Sequence, residues 1–298
     1  MAIRLPDGVV AMARRGPRWA DWVAGLPSTV ERLTAGWQLR SDGDPGCGHC
    51  SLVLPVRTAD SAPAVLKIGF PDDESEHEHL ALRLWGGHGA VRLLSADPHR
   101  RALLLERLRP TDLTTMPEVR ACEMVAGLYR SLHVPASPAL RSLSSFLDRW
   151  TAELAELPRK AAIPHRLVEQ AVALGRDLAS DRTVQERVIH TDLHYGNVLA
   201  ADREPWLAID PKPVNGDPHY ELAPMLWNRW EEIAGDIRAG VQRRFWTLVD
   251  AAGLDDERAR AWVVVRMIHN AMWAVQDAPD ASREWLTRCV AVAKAVLD

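Results

Sequence analysis

Apolar positions recur in two different patterns along the chain, and the change of pattern divides it into two parts. The first part holds four apolar runs of strand length, separated by turn-forming residues. They lie at 51–57, 64–69, 91–95 and 101–108. A helix that opens at Asp72 and Asp73 and stops at Gly86 is predicted between the second and third strands. Ahead of the strands, residues 18–40 predict short amphipathic helices that are broken at Pro27.

The second part is dominated by helical periods. They cover 118–133, 143–157, 165–178 and the stretch from about Tyr220 to the C-terminus. Three short strand-like runs interrupt them, at 184–190, 197–201 and 206–210. We therefore predict an α+β fold with two lobes: a small β-rich N-lobe with a helical N-terminal extension, residues 1–108, and a larger, mainly helical C-lobe, residues 109–298. Small-molecule sites are common in a cleft between such lobes.

The composition excludes several classes of function. The 298 residues are 47% hydrophobic, enough for a buried core, and 36 Lys and Arg against 40 Asp and Glu give a formal charge of -4. Because there is no long basic run, nucleic acid is not expected as a partner. No stretch approaches the roughly 18 apolar residues of a membrane span. We expect a cytoplasmic monomer that does not bind membranes and keeps its few cysteines reduced.

Three oxygen-bearing side chains stand out between the short strands of the second part. If 197–201 and 206–210 form a hairpin with Asn197 opposite Asp210, their Cβ atoms lie roughly 4.5 to 5.5 Å apart. An amide and a carboxylate oxygen at that spacing suit Mg²⁺, which keeps other positions for water and phosphate. Asp192 lies in the preceding loop and is predicted to act as the base in phosphoryl transfer to an alcohol. The alternative is that each residue alone only caps a turn.

The first part supplies candidates for nucleotide binding. Lys67 stands inside an apolar strand, where a charged side chain needs a partner, and we predict that it holds a nucleotide phosphate. Glu74 and Glu78 follow on the predicted helix, and Glu78 is favoured as its ion-pair partner. Backbone groups of Glu106 and Leu108, where the last strand runs into the connector, are predicted to pair with an adenine edge. A lysine on a half-exposed strand is the alternative for Lys67.

The order of these parts resembles the aminoglycoside phosphotransferase family, which has a protein-kinase-like fold. The segments 84–94, 201–213 and 216–218 are most similar to its streptomycin 6-kinase and hydroxyurea phosphotransferase branch. The resemblance covers nearly the whole chain. It implies that the protein uses ATP and Mg²⁺ to phosphorylate a hydroxyl of an aminoglycoside antibiotic and so gives antibiotic resistance. The first candidate for the acceptor is streptomycin, at its 6-position.

The resemblance also implies a role for four residues. Asp192 is the catalytic aspartate, Asn197 and Asp210 are the magnesium ligands, and Lys67 contacts the nucleotide phosphates. Three features depart from the wider pattern. The segment 43–50 replaces the Gly-x-Gly-x-x-Gly loop of protein kinases, Asp-Pro-Lys at 210–212 replaces Asp-Phe-Gly, and Glu221 stands where relatives usually have aspartate. The second indicates a constitutively assembled enzyme, and the third a structural carboxylate.

Acceptor specificity is expected in the helical part. Aminocyclitol antibiotics are polycations, streptomycin through its guanidinium groups, so their pocket needs carboxylates and aromatic faces. The predicted substrate-binding residues are Trp230, Glu231, Glu232, Asn270, Trp273 and Asp277. The alternative is that the tryptophans belong to the core and the acids to the solvated surface.

Three competing functions stay open. Cys47 and Cys50 could form half of a zinc module, although no second pair follows at a suitable spacing. The chain could be an inactive pseudokinase that binds a ligand, which the joint presence of Lys67, Asp192 and the two metal ligands argues against. It could also phosphorylate another small hydroxylated metabolite or natural product, which the sequence separates poorly from an aminoglycoside.

Overall fold

The chain folds into two compact units, Met1–Arg109 and Pro110–Asp298. The computed structural model describes residues 3–181, 186–277 and 283–297. Each unit has its own apolar core. None of the helices in the described ranges is long and apolar enough to cross a membrane.

The first unit is built on an antiparallel sheet. Its strands are β1 Arg40–Ser41, β2 Gly46–Cys47, β3 Ser51–Arg57, β4 Pro63–Gly69, β5 Leu93–Asp97 and β6 Ala102–Glu106. They follow the order β1-β3-β4-β6-β5, and β2 also pairs with β3. Leu52, Leu54 and Val56 alternate along β3 and are buried, as the period of a strand requires.

Two helices precede the strands in sequence and share an apolar core with the sheet, and a third helix connects β4 to β5. They are α1 Asp7–Met12, α2 Pro17–Gly36 and α3 Glu78–Trp85. The prediction of short helices broken at Pro27 is wrong, because α2 continues through it. Val23, Leu26, Val30 and Leu33 form one buried stripe on both sides of the proline. Burial of four aliphatic side chains, at about 1.5 to 3 kcal/mol each, outweighs the roughly 3 kcal/mol that an internal proline costs.

Helix α3 begins later than the sequence pattern predicts. The carboxylate of Asp72 accepts a hydrogen bond from the Ser75 backbone N–H at 2.7 Å, so the acidic residues form a turn instead of a first helical turn. Glu74 therefore lies outside the helix and does not share a face with Glu78. The helix ends at Gly86, whose φ of +57° is the left-handed conformation that glycine adopts readily.

The second unit is mainly helical, with two pairs of short strands. Its helices are α4 Glu118–Leu132, α5 Leu143–Ala155, α6 His165–Ser180, α7 Ala223–Trp227, α8 Ile237–Ala252, α9 Asp256–Asp277 and α10 Arg283–Leu297. Its strands are β7 Arg187–Ile189, β8 Val198–Ala200, β9 Trp206–Ala208 and β10 Val214–Gly216. Strand β7 pairs with β10 and β8 with β9, both antiparallel. The predicted start of β7 at Val184 lies outside the described residues.

Helix α9 lies at the centre of this unit. Its residues Val263, Val264, Val265, Met267 and Ile268 are all fully buried, and the polar residues Arg266 and His269 of the same helix are buried as well. A helix with this pattern is enclosed by its neighbours, and α6, α10 and α5 pack against it.

The register of the β8–β9 hairpin differs by one residue from the prediction. Val198 pairs with Ala208, so Asn197 does not stand opposite Asp210. Tyr195–Asn197 forms a single 3-10 turn before the strand, and Asp210 follows the strand's end with a φ of +57°. Both side chains thus project from turns that flank a short hairpin.

Candidate active site

The loop that carries Asp192 leaves β7 through a strained residue. Thr191 has a φ of +62°, a conformation that a β-branched side chain rarely adopts. Three contacts hold it: its hydroxyl donates to the Lys212 carbonyl at 2.7 Å, its N–H donates to Glu221 Oε1 at 3.2 Å, and its carbonyl accepts from Arg266. These contacts fix the backbone conformation of Thr191 and with it the position of Asp192.

His190 ties this loop to the segment that carries Asp210. Its ring Nδ1 accepts the backbone N–H of Asp192 at 3.3 Å, and its Nε2 lies 2.9 Å from the Ile209 carbonyl. Burial lowers the pKa of His190 to about 4, so the ring is neutral at pH 7. Because Nδ1 accepts, the single ring proton resides on Nε2 and is donated to Ile209. One buried side chain thus fixes the backbone beside both carboxylates.

Asn197 lies between these two segments. Its carbonyl accepts the Ile209 N–H at 2.9 Å, which places it beside the residue that precedes Asp210. Its amide Nδ2 donates to the Asp192 carbonyl at 2.9 Å and to Asp192 Oδ2 at 3.5 Å. These bonds use the amide nitrogen and leave Oδ1 as the atom that can bind a cation.

The donor set fits magnesium better than zinc. Asn197 offers an amide oxygen and Asp210 a carboxylate, both hard ligands of the kind Mg²⁺ takes from proteins while keeping several positions for water and phosphate. Burial lowers the pKa of His194, and the nearby carboxylates of Asp192 and Asp210 both oppose that shift. In the described part of the chain, no group of three or more His, Cys, Asp and Glu side chains could hold a metal ion.

A lysine and a glutamate complete the network around Asp192. Lys212 Nζ lies 3.4 Å from Asp192 Oδ2, and the Lys212 N–H donates to the His190 carbonyl at 3.0 Å. Glu221 is fully buried and accepts the backbone N–H groups of His190 and Thr191. Burial raises the pKa of Glu221 to about 7, against the lowering effect of those N–H groups. This contact with the loop backbone is that of a structural carboxylate.

In the first unit, Lys67 has the partner favoured from the sequence. Its Nζ donates to Glu78 Oε1 at 2.7 Å and to Oε2 at 2.8 Å, and both side chains are buried. Glu78 is the first residue of α3, so the start of that helix sets the position of its carboxylate. The ammonium group of Lys67 on β4 is therefore held in position by both carboxylate oxygens of Glu78.

The segment predicted to meet an adenine edge is attached firmly to the sheet. Glu106 ends β6, and its N–H donates to the Arg92 carbonyl at 3.0 Å. Arg107 donates to Asp42 Oδ2 at 2.7 Å and to the Ala64 carbonyl at 3.2 Å. The backbone leading to Leu108 is therefore held in place by the sheet.

The turn at 48–51, where Gly48 N–H donates to the Ser51 carbonyl, connects β2 to β3.

The predicted substrate-binding residues fall into two groups with different neighbours. Trp230 packs under the Arg288 guanidinium, 5.0 Å from its ring centroid, and Glu232 pairs with Arg229 at 2.6 Å, while Glu231 is exposed. On α9, Asn270 is half-buried and Trp273 packs edge-on against Trp150 with centroids 5.0 Å apart. The side chain of Asp277 lies outside the described residues. Arg229 also donates to the carbonyls of Leu113 and Met116, so its pairing with Glu232 belongs to a structural contact.

Comparison with known proteins identifies the family. The aminoglycoside/hydroxyurea antibiotic resistance kinases match residues 36–278. The chain belongs to this family. A streptomycin 6-kinase of Streptomyces glaucescens is 40% identical over 287 residues, which cover 92% of each chain. A hydroxyurea phosphotransferase of Kitasatospora aureofaciens is 40% identical over 305 residues, or 99% of this chain and 86% of that one.

A solved structure agrees with the fold. The spectinomycin phosphotransferase determined in complex with ADP and spectinomycin superposes with a TM-score of 0.58 at 14% identity, over 91% of this chain and 98% of that one. The α+β, protein-kinase-like fold predicted from the sequence is thereby confirmed, with its small antiparallel sheet unit and helical second unit. The protein is a phosphotransferase of the antibiotic-resistance kinases.

Several functional candidates of this kinase were not found from its sequence. His190 precedes Asp192 by two residues and Lys212 follows Asp210 by two residues. The contacts of both residues with Asp192 become visible only in the folded structure. Arg266 reaches the loop from α9, 75 residues away in sequence.

Proposed function

We propose that this kinase transfers the terminal phosphoryl group of ATP, with Mg²⁺, to a hydroxyl of streptomycin at the 6-position. The observation that carries the proposal is that the buried His190 ties the Asp192 loop to the Ile209–Asp210 segment, and that Asn197 is hydrogen-bonded to both. This occurs in a chain that is 40% identical to a streptomycin 6-kinase.

The residues divide the work of phosphoryl transfer among themselves. Asp192 orients the acceptor hydroxyl and accepts its proton as the new O–P bond forms and the bond to ADP breaks. Asn197 Oδ1 and the Asp210 carboxylate would hold Mg²⁺, which supplies positive charge to the phosphates when bound. Lys67, oriented by Glu78, contacts the phosphates of the nucleotide. Lys212 pairs with Asp192 Oδ2 and so orients the base.

A second acceptor is favoured by one observation. The hydroxyurea phosphotransferase relative is as similar to this chain as the streptomycin 6-kinase relative, at 40% identity for each. Hydroxyurea has one hydroxyl and carries no cationic group. The two candidates therefore differ in whether the acceptor pocket must recognise positive charge.

An acceptor panel separates these functions. Purified protein is incubated with ATP and Mg²⁺ and with streptomycin, hydroxyurea or a neutral sugar, and phosphorylated products are detected by mass. We expect streptomycin phosphate as the main product, formed by Asp192→Asn at no more than about 1% of the wild-type rate. If hydroxyurea alone is converted, the acceptor assignment is wrong but the chemistry stands. If nothing is converted and ATP still binds, the streptomycin proposal is wrong, and the protein is either a kinase for another compound or a pseudokinase.

The cellular setting is part of the same proposal. We propose that the kinase acts as a cytoplasmic monomer, where ATP is supplied and thiols stay reduced. Light scattering coupled to size-exclusion chromatography at assay concentration tests the monomer. A mass near twice the 33.2 kDa of the chain would refute it.

A further inference from the structure

An aromatic cluster in the second unit surrounds a buried histidine. Its members are Trp150 on α5 and His269 and Trp273 on α9. The ring centroids of Trp150 and Trp273 lie 5.0 Å apart, and His269 lies 5.9 Å from the first and 6.1 Å from the second. The two tryptophans are half-buried, whereas His269 is 2% exposed. The imidazole is therefore buried next to two indole rings that are each partly exposed.

The polar group has no partner in the structure. His269 Nε2 is buried and makes no hydrogen bond with any described residue. Burial lowers the pKa of His269 to about 4, so the ring is neutral at pH 7. A buried polar atom left unpaired destabilises a fold, and such atoms are rare. A neutral imidazole nitrogen of this kind can accept a hydrogen bond from a ligand.

The cluster stands on the helix face that also reaches the Asp192 loop. Arg266, which donates to the Thr191 carbonyl, precedes His269 by three residues and Trp273 by seven, so all three share one face of α9. At 1.5 Å per residue, Trp273 lies about 10 Å along the helix from Arg266. An acceptor of several rings can span that length with one end at the cluster and a hydroxyl near Asp192.

One helical turn beyond the cluster, α5 and α9 both line a cavity. Glu153 lies three residues beyond Trp150, and Gln276 three residues beyond Trp273, and both line a cavity of about 940 Å³. The cavity also carries one further carboxylate, Glu156, and two cations, Lys160 and Arg176. The cavity therefore lies about one helical turn from the two tryptophans, whose own side chains do not line it.

From this arrangement we propose that Trp150, His269 and Trp273 form the subsite for a guanidinium group of the acceptor. A guanidinium stacks on tryptophan faces and donates N–H bonds in its own plane, which suits two partly exposed indoles that pack against a neutral imidazole. The proposal rests on the proposed function, because it specifies how that acceptor is held. It assigns two residues, Trp150 and His269, that the sequence did not indicate.

Steady-state kinetics with streptomycin tests the tryptophans. Trp273→Leu is expected to raise KM by roughly 3- to 30-fold with little change in kcat, because the ring binds ground state and transition state alike. The matched control is Trp246→Leu on α8, an exposed tryptophan stacked under Arg260 at 4.8 Å, which should leave KM unchanged. An unchanged KM in a folded Trp273→Leu protein would overturn the proposal.

His269 offers a test in which stability and binding move in opposite directions. Because Nε2 is buried and unpaired, His269→Leu is expected to keep or raise the melting temperature while it raises KM for streptomycin. A purely structural histidine would give a lower melting temperature with KM unchanged. That result would refute the subsite.

Direct binding keeps this test separate from the proposed function. Methylguanidinium is titrated into the full-length protein and followed by tryptophan fluorescence, with urea as a neutral molecule of similar shape. We expect methylguanidinium to bind and to compete with streptomycin, and urea to do neither. Binding without any phosphorylation would refute the proposed function alone, whereas no binding, or equal binding of urea, would overturn the subsite.

Discussion

Glu221 allows the energetics of the Asp192 loop to be measured through pH. Its carboxyl is fully buried, and its pKa is raised from 4.5 to about 7 by burial. The folded protein therefore keeps a proton that the unfolded chain loses first. The contribution of this proton to the free energy of unfolding is fully present below about pH 4.5 and is lost as the pH rises through about 7. Since each pKa unit corresponds to 1.36 kcal/mol, this rise in the pKa of Glu221 corresponds to about 3 kcal/mol of unfolding free energy.

The substitution Glu221→Gln isolates this effect. Glutamine keeps an oxygen that can accept the N–H groups of His190 and Thr191, but it cannot ionise. Relative to the wild type, the variant is expected to gain about 3 kcal/mol in unfolding free energy between pH 4.5 and pH 7.5. Urea unfolding at a series of pH values, followed by tryptophan fluorescence, measures the difference.

The control for this experiment is Glu284→Gln on α10, whose side chain is 82% exposed. Its stability relative to the wild type should not change over the same pH range. A difference between Glu221→Gln and the wild type that is also independent of pH would refute the buried, protonated carboxyl. Glu221→Ala removes the acceptor as well, so it is expected to lower kcat where Glu221→Gln does not.

Asp192→Asn is expected to lower kcat by about two to four orders of magnitude with ATP affinity retained in calorimetry, and a variant that keeps its kcat would exclude Asp192 as the base. Lys67→Met should reduce the unfolding free energy by about 3 to 5 kcal/mol because Glu78 stays buried without its partner, and adding Glu78→Gln should recover most of the loss in urea titrations. A double variant no more stable than the single one would contradict this. His190→Leu removes two hydrogen bonds and is expected to lower kcat by about 10- to 100-fold in rate assays, whereas an unchanged kcat would show that the tether is dispensable. Chelation of divalent cations should abolish transfer and Mg²⁺ should restore it, and turnover in excess chelator would contradict a role for the metal.

Local patterns predicted most of the secondary structure because they report on burial along one element. The alternating residues of β3 and the periodic residues of α4 face apolar cores, and their bounds agree with prediction to within a residue. Pro27 shows the limit of such reasoning. A local rule predicts a helix break there, but the buried stripe of α2 is a tertiary effect that the rule does not contain.

The site was predictable where its residues are close in sequence. The spacing of Asp192 and Asn197 indicated a shared role, and the structure places the Asn197 amide on Asp192. The hairpin register was off by one because a 3-10 turn occupies 195–197, which strand alternation cannot reveal. Glu221 and Arg266 hold the loop from distant segments, so only the fold shows their contacts.

The position of the phosphate on streptomycin tests the central claim most directly. Product made by the wild-type protein with ATP and Mg²⁺ is purified, and phosphorus–proton correlation in NMR identifies the substituted carbon. We predict a single product phosphorylated at the 6-hydroxyl, formed by Asp192→Asn at no more than about 1% of the wild-type rate under the same conditions. Streptomycin recovered unmodified from the wild-type reaction, or equal product from Asp192→Asn, would contradict the account.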